Sequence, residues 1–245
     1  MPLLQSTEPP AFTMERKGRP DGLLIACDHA SNRIPAALGS LGLSPAQLQT
    51  HVAWDIGARA VAVQLGELLD ATVICQNYSR LVIDCNRPLE APDSIAPLSE
   101  AVSIAANLGL TDRQRQERQN EIFHPYHQAL REAIGSRTTL ISMHSFTPVY
   151  HGIPRRWHTG MLFQRDGRIG QWLHARLSQD PHLHVGENEP YAMDDATDYT
   201  LIQHGERSGI PHVGIEVRQD LIADVAGQSA WAQRLAAHLR ELPDY

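Results

Sequence analysis

Short apolar runs punctuate this chain: LLIAC (23–27), TVICQ (72–76), LVIDC (81–85), TLISM (139–143), GMLF (160–163) and HVGIEV (212–217). Near-continuous apolar runs of this length predict strands, and the first of them a central strand buried on both faces. A further short strand is predicted near 183–185. Between the runs the apolar positions shift to a helical period. The spacing predicts a helix over 54–69, with Val61, Leu65, Leu68 and Leu69 as its stripe. Another covers 112–135, interrupted or restarted at Pro125, where Ile122, Tyr126, Leu130 and Ile134 keep a spacing of four. Helices are also predicted over 168–178 (Ile169, Trp172, Leu173, Leu177), over 198–207, and from Ser229 onward (Trp231, Leu235, Leu239). Ser44-Pro45 marks a helix start, Ser as N-cap and Pro at the first helical position. Residues 88–111, rich in Pro, Ser and Ala, predict a long irregular loop, a kind of segment that often carries function.

Strands that alternate with helices predict a three-layer α/β fold, a mostly parallel or mixed sheet with helices on both faces. No internal repeat or dividing linker is visible. Residues 1–22 read as a loose N-terminal arm and 23–245 as a single α/β domain, a size that one core can serve.

Composition narrows the function classes. A net charge of −7 disfavours nucleic acid as partner, yet leaves room for a small anionic substrate held by local arginines. The first 22 residues are polar and proline-bearing, without the apolar stretch of a signal peptide, and no run approaches a membrane span. A cytoplasmic protein is expected, with no nucleic-acid or membrane partner, either a monomer or a small homo-oligomer. Cys27, Cys75 and Cys85 form no CxxC pair and lie in or beside apolar runs, so reduced structural thiols are expected.

Candidate chemistry collects where the apolar runs stop. In open α/β sheets ligands bind beyond the carboxyl ends of the strands. The first run ends in Asp28, His29 and Asn32; 81–85 in Asp84, Asn86 and Arg87; 139–143 in His144-Ser145; 212–217 in Glu216, Arg218 and Asp220. Two imidazoles with a nearby carboxylate are a zinc-competent donor set. Glu216 reads either as a general base or as the partner of Arg218, since i and i+2 share a strand face. Arg87, with Asn86 beside it, offers a fork suited to a carboxylate, and Arg80 has similar standing; a structural Arg87–Asp84 bridge is the alternative. Asp55, in Trp54-Asp55-Ile56-Gly57, reads as a helix-start charge, a ligand or a partner of a ligand. His204 and Asn188-Glu189 read as rim residues; His51, His124, His127, His174, His182, His184 and His238 as surface or packing residues. Rival nucleophile schemes lack support: there is no GxSxG elbow, no Walker A loop and no GxGxxG after a strand.

The segments CDHASNRIP, HVAWDIGA, YSRLVIDCNRP, HPYHQAL, SMHSFTPV, GENEPY, DYTLIQHGE and HVGIEVRQDLI, in this order and spacing, resemble the N-formylglutamate amidohydrolase (N-formylglutamate deformylase) family over residues 22–240. That family is similar to zinc carboxypeptidases and aspartoacylases, with a phosphorylase/hydrolase-like sheet. The resemblance implies zinc on His29 and His144, Glu216 as general acid/base, and Asn86-Arg87 gripping a substrate carboxylate. Where the wider peptidase pattern has His-x-x-Glu, this chain has His29-Ala30-Ser31-Asn32, and Asn is a poor zinc ligand. Asp55 is the expected third ligand, because the resemblance implies a metal-competent His in the similar Trp-x-x segment of related deformylases; Asn32 and Asp28 stay open. The implied reaction is hydrolysis of the N-formyl amide of an acidic amino acid such as N-formyl-L-glutamate. Arg80, Arg218 and Asn32 are further candidates for substrate contact. Other N-acylamino acids or small peptides, a catalytically silent anion-binding protein, and purely structural polar networks are the alternatives.

Overall fold

Both faces of the predicted central strands are buried, and that double burial builds the sheet. A computed structural model describes residues 2–19 and 21–243; Met1, Pro20, Asp244 and Tyr245, which the arm and domain boundaries include, lie outside the described residues. In chain order the elements begin with β1 (Phe12–Arg16), β2 (Leu23–Cys27), the one-turn helix α1 (Pro45–Leu48), α2 (Ala58–Leu69) and β3 (Thr72–Gln76). A hairpin of β4 (Leu98–Ser99) and β5 (Val102–Ser103) precedes α3 (Asp112–Arg118) and α4 (His124–Ala133). After β6 (Thr139–Phe146), a second hairpin pairs β7 (Val149–Tyr150) with β8 (Ile153–Pro154). The chain closes with β9 (Thr159–Leu162), α5 (Arg168–Leu177), β10 (Val185–Glu187), β11 (His212–Arg218) and α6 (Val225–Leu239).

The seven-stranded sheet runs β1-β3-β2-β6-β11-β9-β10. Strands β3, β2, β6 and β11 are mutually parallel; β1 lies antiparallel on β3, and β9 antiparallel on β11. Side chains alternate across it. Ile25, Cys27, Val73, Cys75, Ile141 and Met143 pack with α2, α5 and α6, whereas Leu24, Ala26, Ile74 and Leu140 pack with Ile122, Tyr126 and Leu130. The result is the expected three-layer arrangement with a mixed sheet.

Four local readings change. The arm is fastened rather than loose: residues 12–16 form an edge strand, and the Leu3 and Leu4 amides each donate to the Glu121 carboxylate at 2.8 Å. The strand FTMER lacks an apolar run because it lies at an edge, partly exposed. Residues 81–85 are buried but form turns, not a strand. Side chains replace the missing neighbour strand: Asn107 donates to the Leu81 carbonyl, Arg118 to that of Val82 and His127 to that of Cys85, each at 2.8 Å. The 112–135 helix continues through a π turn, Gln119–Phe123, just ahead of Pro125. Its wider backbone spacing eases the clash and missing N–H that Pro imposes on an α-helix. Residues 200–201 start a helix that passes directly into a second π turn, Ile202–Glu206. Helix bounds also move: α2 starts at Ala58 and α6 at Val225, capped by the Asp224 side chain on the Gly227 amide at 2.8 Å. Ser44 does cap α1, in a reciprocal capping box with Gln47.

Candidate active site

Parallel register brings the strand ends together. Glu216 of β11 sits opposite His144 of β6, and β2, whose end leads to His29, pairs with the other edge of β6. Asp55 reaches the same point from the loop before α2, where its amide donates to the His29 carbonyl at 2.9 Å. Gly57 makes that turn possible. It adopts a left-handed conformation (φ 82°), and a Cβ there would lie 2.2 Å from the Ile222 carbonyl oxygen. His29, Asp55, His144 and Glu216 are all buried.

The two imidazoles are held alike. His29 Nε2 donates to Asp84 Oδ1 at 2.7 Å, so in the neutral ring Nδ1 carries the lone pair; it lies 3.4 Å from Asp55 Oδ2, buried and without a hydrogen-bond partner among the described residues. Ser142 gives its one proton to Asp28 Oδ2 at 3.0 Å, so His144 Nε2 is the donor in its 2.8 Å contact with Ser142 Oγ. His144 Nδ1 then faces Asp55 Oδ2 at 2.8 Å. Asp28 is anchored in turn by the Thr200 hydroxyl at 2.7 Å. One ligand atom each from His29, Asp55 and His144 lies within 4.8 Å of the others. Two inward nitrogens, one carboxylate oxygen and outer nitrogens fixed by carboxylate-linked partners form a donor set that fits a divalent metal ion.

Burial and charge work against each other here. Burial alone would raise the carboxyl pKa values of Asp28 and Asp55, but the neighbouring histidines hold both well below the usual range. Burial would lower His144, yet its bonds to Asp28 and Asp55 hold it well above an ordinary histidine. At Glu216 burial wins: His144, His29 and Arg80 draw the carboxyl pKa down, but not by enough. Burial pushes its carboxyl up to about 7, and its Oε2 has no hydrogen-bond partner among the described residues.

A cavity of about 670 Å³ opens over this cluster, and Arg80, Asn86 and Arg87 line it with Tyr191 and Asp198. Arg80 donates from Nε and Nη2 to Asp84 Oδ2 at 3.0 and 2.7 Å. Arg87 bridges to Asp93 at 2.8 Å rather than to Asp84. The Asn86 amide is engaged, accepting from the Tyr199 and Thr200 amides and donating to Asp198.

The family model for N-formylglutamate amidohydrolase matches residues 21–223. The chain belongs to that family. It is an amidohydrolase, acting on an amide bond. Its fold is similar to that of gene product Atu2144 from Agrobacterium tumefaciens, at 36% identity over 98% of this chain and 97% of that one, TM-score 0.92. It also resembles the N-formylglutamate amidohydrolase from Ralstonia eutropha JMP134, at 19% identity over 94% and 96% of the two chains, TM-score 0.66; that likeness is one of fold. No curated protein matches the sequence.

Against this amidohydrolase frame, two candidates fall outside the cavity wall. Asn32 turns away to donate to the Leu48 carbonyl at 2.8 Å. Arg218 bridges to Asp220 and donates to the Arg155 and Trp157 carbonyls, so it pairs neither with Glu216 nor with the cavity. Asp28 stands behind His144, on its outer nitrogen, rather than in the inward donor set. The Cys85 thiol is buried and its pKa pushed up by desolvation; Cys27 is raised by its contact with Cys75 and by burial, so neither is poised as a nucleophile. Sequence reasoning missed Ser142, Thr200 and Tyr191. Ser142 was findable, because i and i+2 place it on the His144 face of one strand. Tyr191 was not: it enters because Gly160 lets the 189–190 backbone press on β9, where a Cβ would lie 1.8 Å from the Glu189 carbonyl oxygen.

Proposed function

We propose that this amidohydrolase is metal-dependent and removes the N-formyl, or another short N-acyl, group from an amino acid. The reading is carried by the paired imidazoles, whose inward Nδ1 atoms share Asp55 while their outer nitrogens are tied down. His29, Asp55 and His144 would hold the ion, and zinc suits two nitrogens and one oxygen. Such an ion supplies Lewis acidity and makes water acidic near neutral pH. Glu216 takes the proton of the attacking water and passes it to the leaving amine, a task suited to its place opposite His144 in the cavity wall. Arg87 binds the substrate carboxylate, and Asn86 fixes the 198–200 backbone beside it.

The test combines metal analysis with turnover of N-formyl-L-glutamate, the compound in the family's description. The purified protein is expected to carry about one divalent ion per chain. Glu216→Gln keeps that ion and loses about 10²–10⁴-fold in kcat. Full activity in Glu216→Gln removes that residue from the reaction, and a metal-free, fully active protein removes the metal.

A further inference from the structure

The cavity wall holds two arginines, Arg80 and Arg87, against six carboxylates: Asp55, Asp84, Asp93, Glu100, Asp198 and Glu216. A divalent ion at the cluster leaves the carboxylates in excess. Both arginines already have acidic partners, but they differ in how readily they would exchange them. Arg87 pairs with Asp93, whose side chain is 54% exposed. Such a rim pair is worth little, and an incoming carboxylate can take Asp93's place at small cost. Arg80 pairs with Asp84, whose side chain is 5% exposed and which also carries the His29 bond. Drawing Arg80 away strands a buried charge, which is strongly unfavourable.

The remaining basic groups offer no second berth. His51, on the wall, is bound to Glu100 at 2.7 Å. Arg155 stands behind the wall, its guanidinium 4.6 Å from the ring centres of both Tyr150 and Tyr191, donating to the Tyr191 hydroxyl at 2.8 Å. Deeper in, Glu216 presents an oxygen with no hydrogen-bond partner among the described residues. The outer wall, by contrast, is uncharged where Leu98, Tyr150, Tyr191 and Met193 contribute. The space is in the range that takes drug-sized ligands, so a side chain longer than that of glutamate fits without displacing protein.

Resting on the amidohydrolase reading, we infer that the cavity selects an N-acyl amino acid with a single carboxylate and discriminates against one whose side chain carries a second negative charge. One exchangeable arginine admits one carboxylate. A second meets an excess of acids, and repulsion of this kind is a common source of specificity. The chain thus departs from the glutamate that its family's description names.

N-formyl-L-glutamine and N-formyl-L-glutamate differ by little more than that charge, so their ratio tests the inference. With the zinc-loaded protein at neutral pH, kcat/KM for the glutamine compound is expected to be at least about tenfold higher, a difference of about 1.4 kcal/mol. Equal or better turnover of the glutamate compound overturns the inference and leaves the amidohydrolase reading intact. Turnover of neither compound counts against that reading instead, and calorimetric binding of the same pair then decides the charge question. Tighter binding of the glutamine compound upholds the inference; equal binding, tighter binding of the dianion, or binding of neither overturns it.

Discussion

Two pairs of buried histidines lie in this fold, and they are tuned in opposite directions. His29 and His144 sit among Asp28, Asp55 and Asp84; burial opposes their charge, but the carboxylates raise both pKa values. His127 and His204 touch each other, Nδ1 to Nε2 at 3.0 Å, against the rings of Phe123 and Tyr199. There burial prevails and pushes them down to about 3 and about 4. The first pair turns one ring nitrogen of each member, Nδ1, toward Asp55. The second uses its ring atoms on one another and on the Cys85 carbonyl, 2.8 Å from His127 Nε2. Residue type and burial are therefore the same, and the neighbours decide between a candidate donor set for an ion and a brace for the backbone that carries Asp84 and Asn86.

Metal content breaks this comparison most directly. His29→Ala and His144→Ala are each expected to lose the bound ion and the activity that depends on it. His127→Ala is expected to keep the ion while losing about 1–3 kcal/mol of stability, because the Cys85 carbonyl is left buried and unpaired. Elemental analysis beside chemical denaturation reads both. Equal metal loss in all three variants would erase the distinction between the pairs.

A smaller effect sharpens it. Asp84 stands behind His29, fixing the tautomer that points Nδ1 inward. Asp84→Asn should lower metal affinity about 10–100-fold without abolishing binding, as measured by competition with a chelator. An unchanged affinity would make Asp84 only the partner of Arg80.

What the sequence made legible follows the same division. The strand-end residues His29, His144 and Glu216 were visible because apolar runs stop abruptly at or beside them, and the parallel sheet gathers such ends at one edge. Asp55 was a choice among three candidates, and it is brought beside His29 and His144 by a left-handed Gly57 that no periodicity reveals. The brace was invisible. LVIDC has the composition of a strand, and nothing local says that Asn107, Arg118 and His127, distant in sequence, take its carbonyls. Arg218 misled for a related reason: it shares a face with Glu216 by period, but the chain leaves the sheet there and Asp220 is nearer.

The second pair also leaves a signature in pH. A histidine held at about 3 in the folded protein and near 6.5 when unfolded is bare in one state and protonated in the other throughout that interval. Its contribution is fully present above pH 6.5 and is lost as pH falls toward 3, at up to about 1.4 kcal/mol per pH unit. Glu216 carries the opposite sign in the metal-free protein. Raised from 4.5 to about 7, its contribution is present below 4.5 and lost as pH rises through 7, so the total slope mixes the two. The difference between wild type and His127→Gln separates them, because the amide can donate to the Cys85 carbonyl but does not titrate. Denaturation at pH 7 and pH 5 should show the variant losing less stability than wild type over that step. An identical loss in both would mean that His127 does not stay neutral in its buried contact with His204, and that the two pairs are tuned alike.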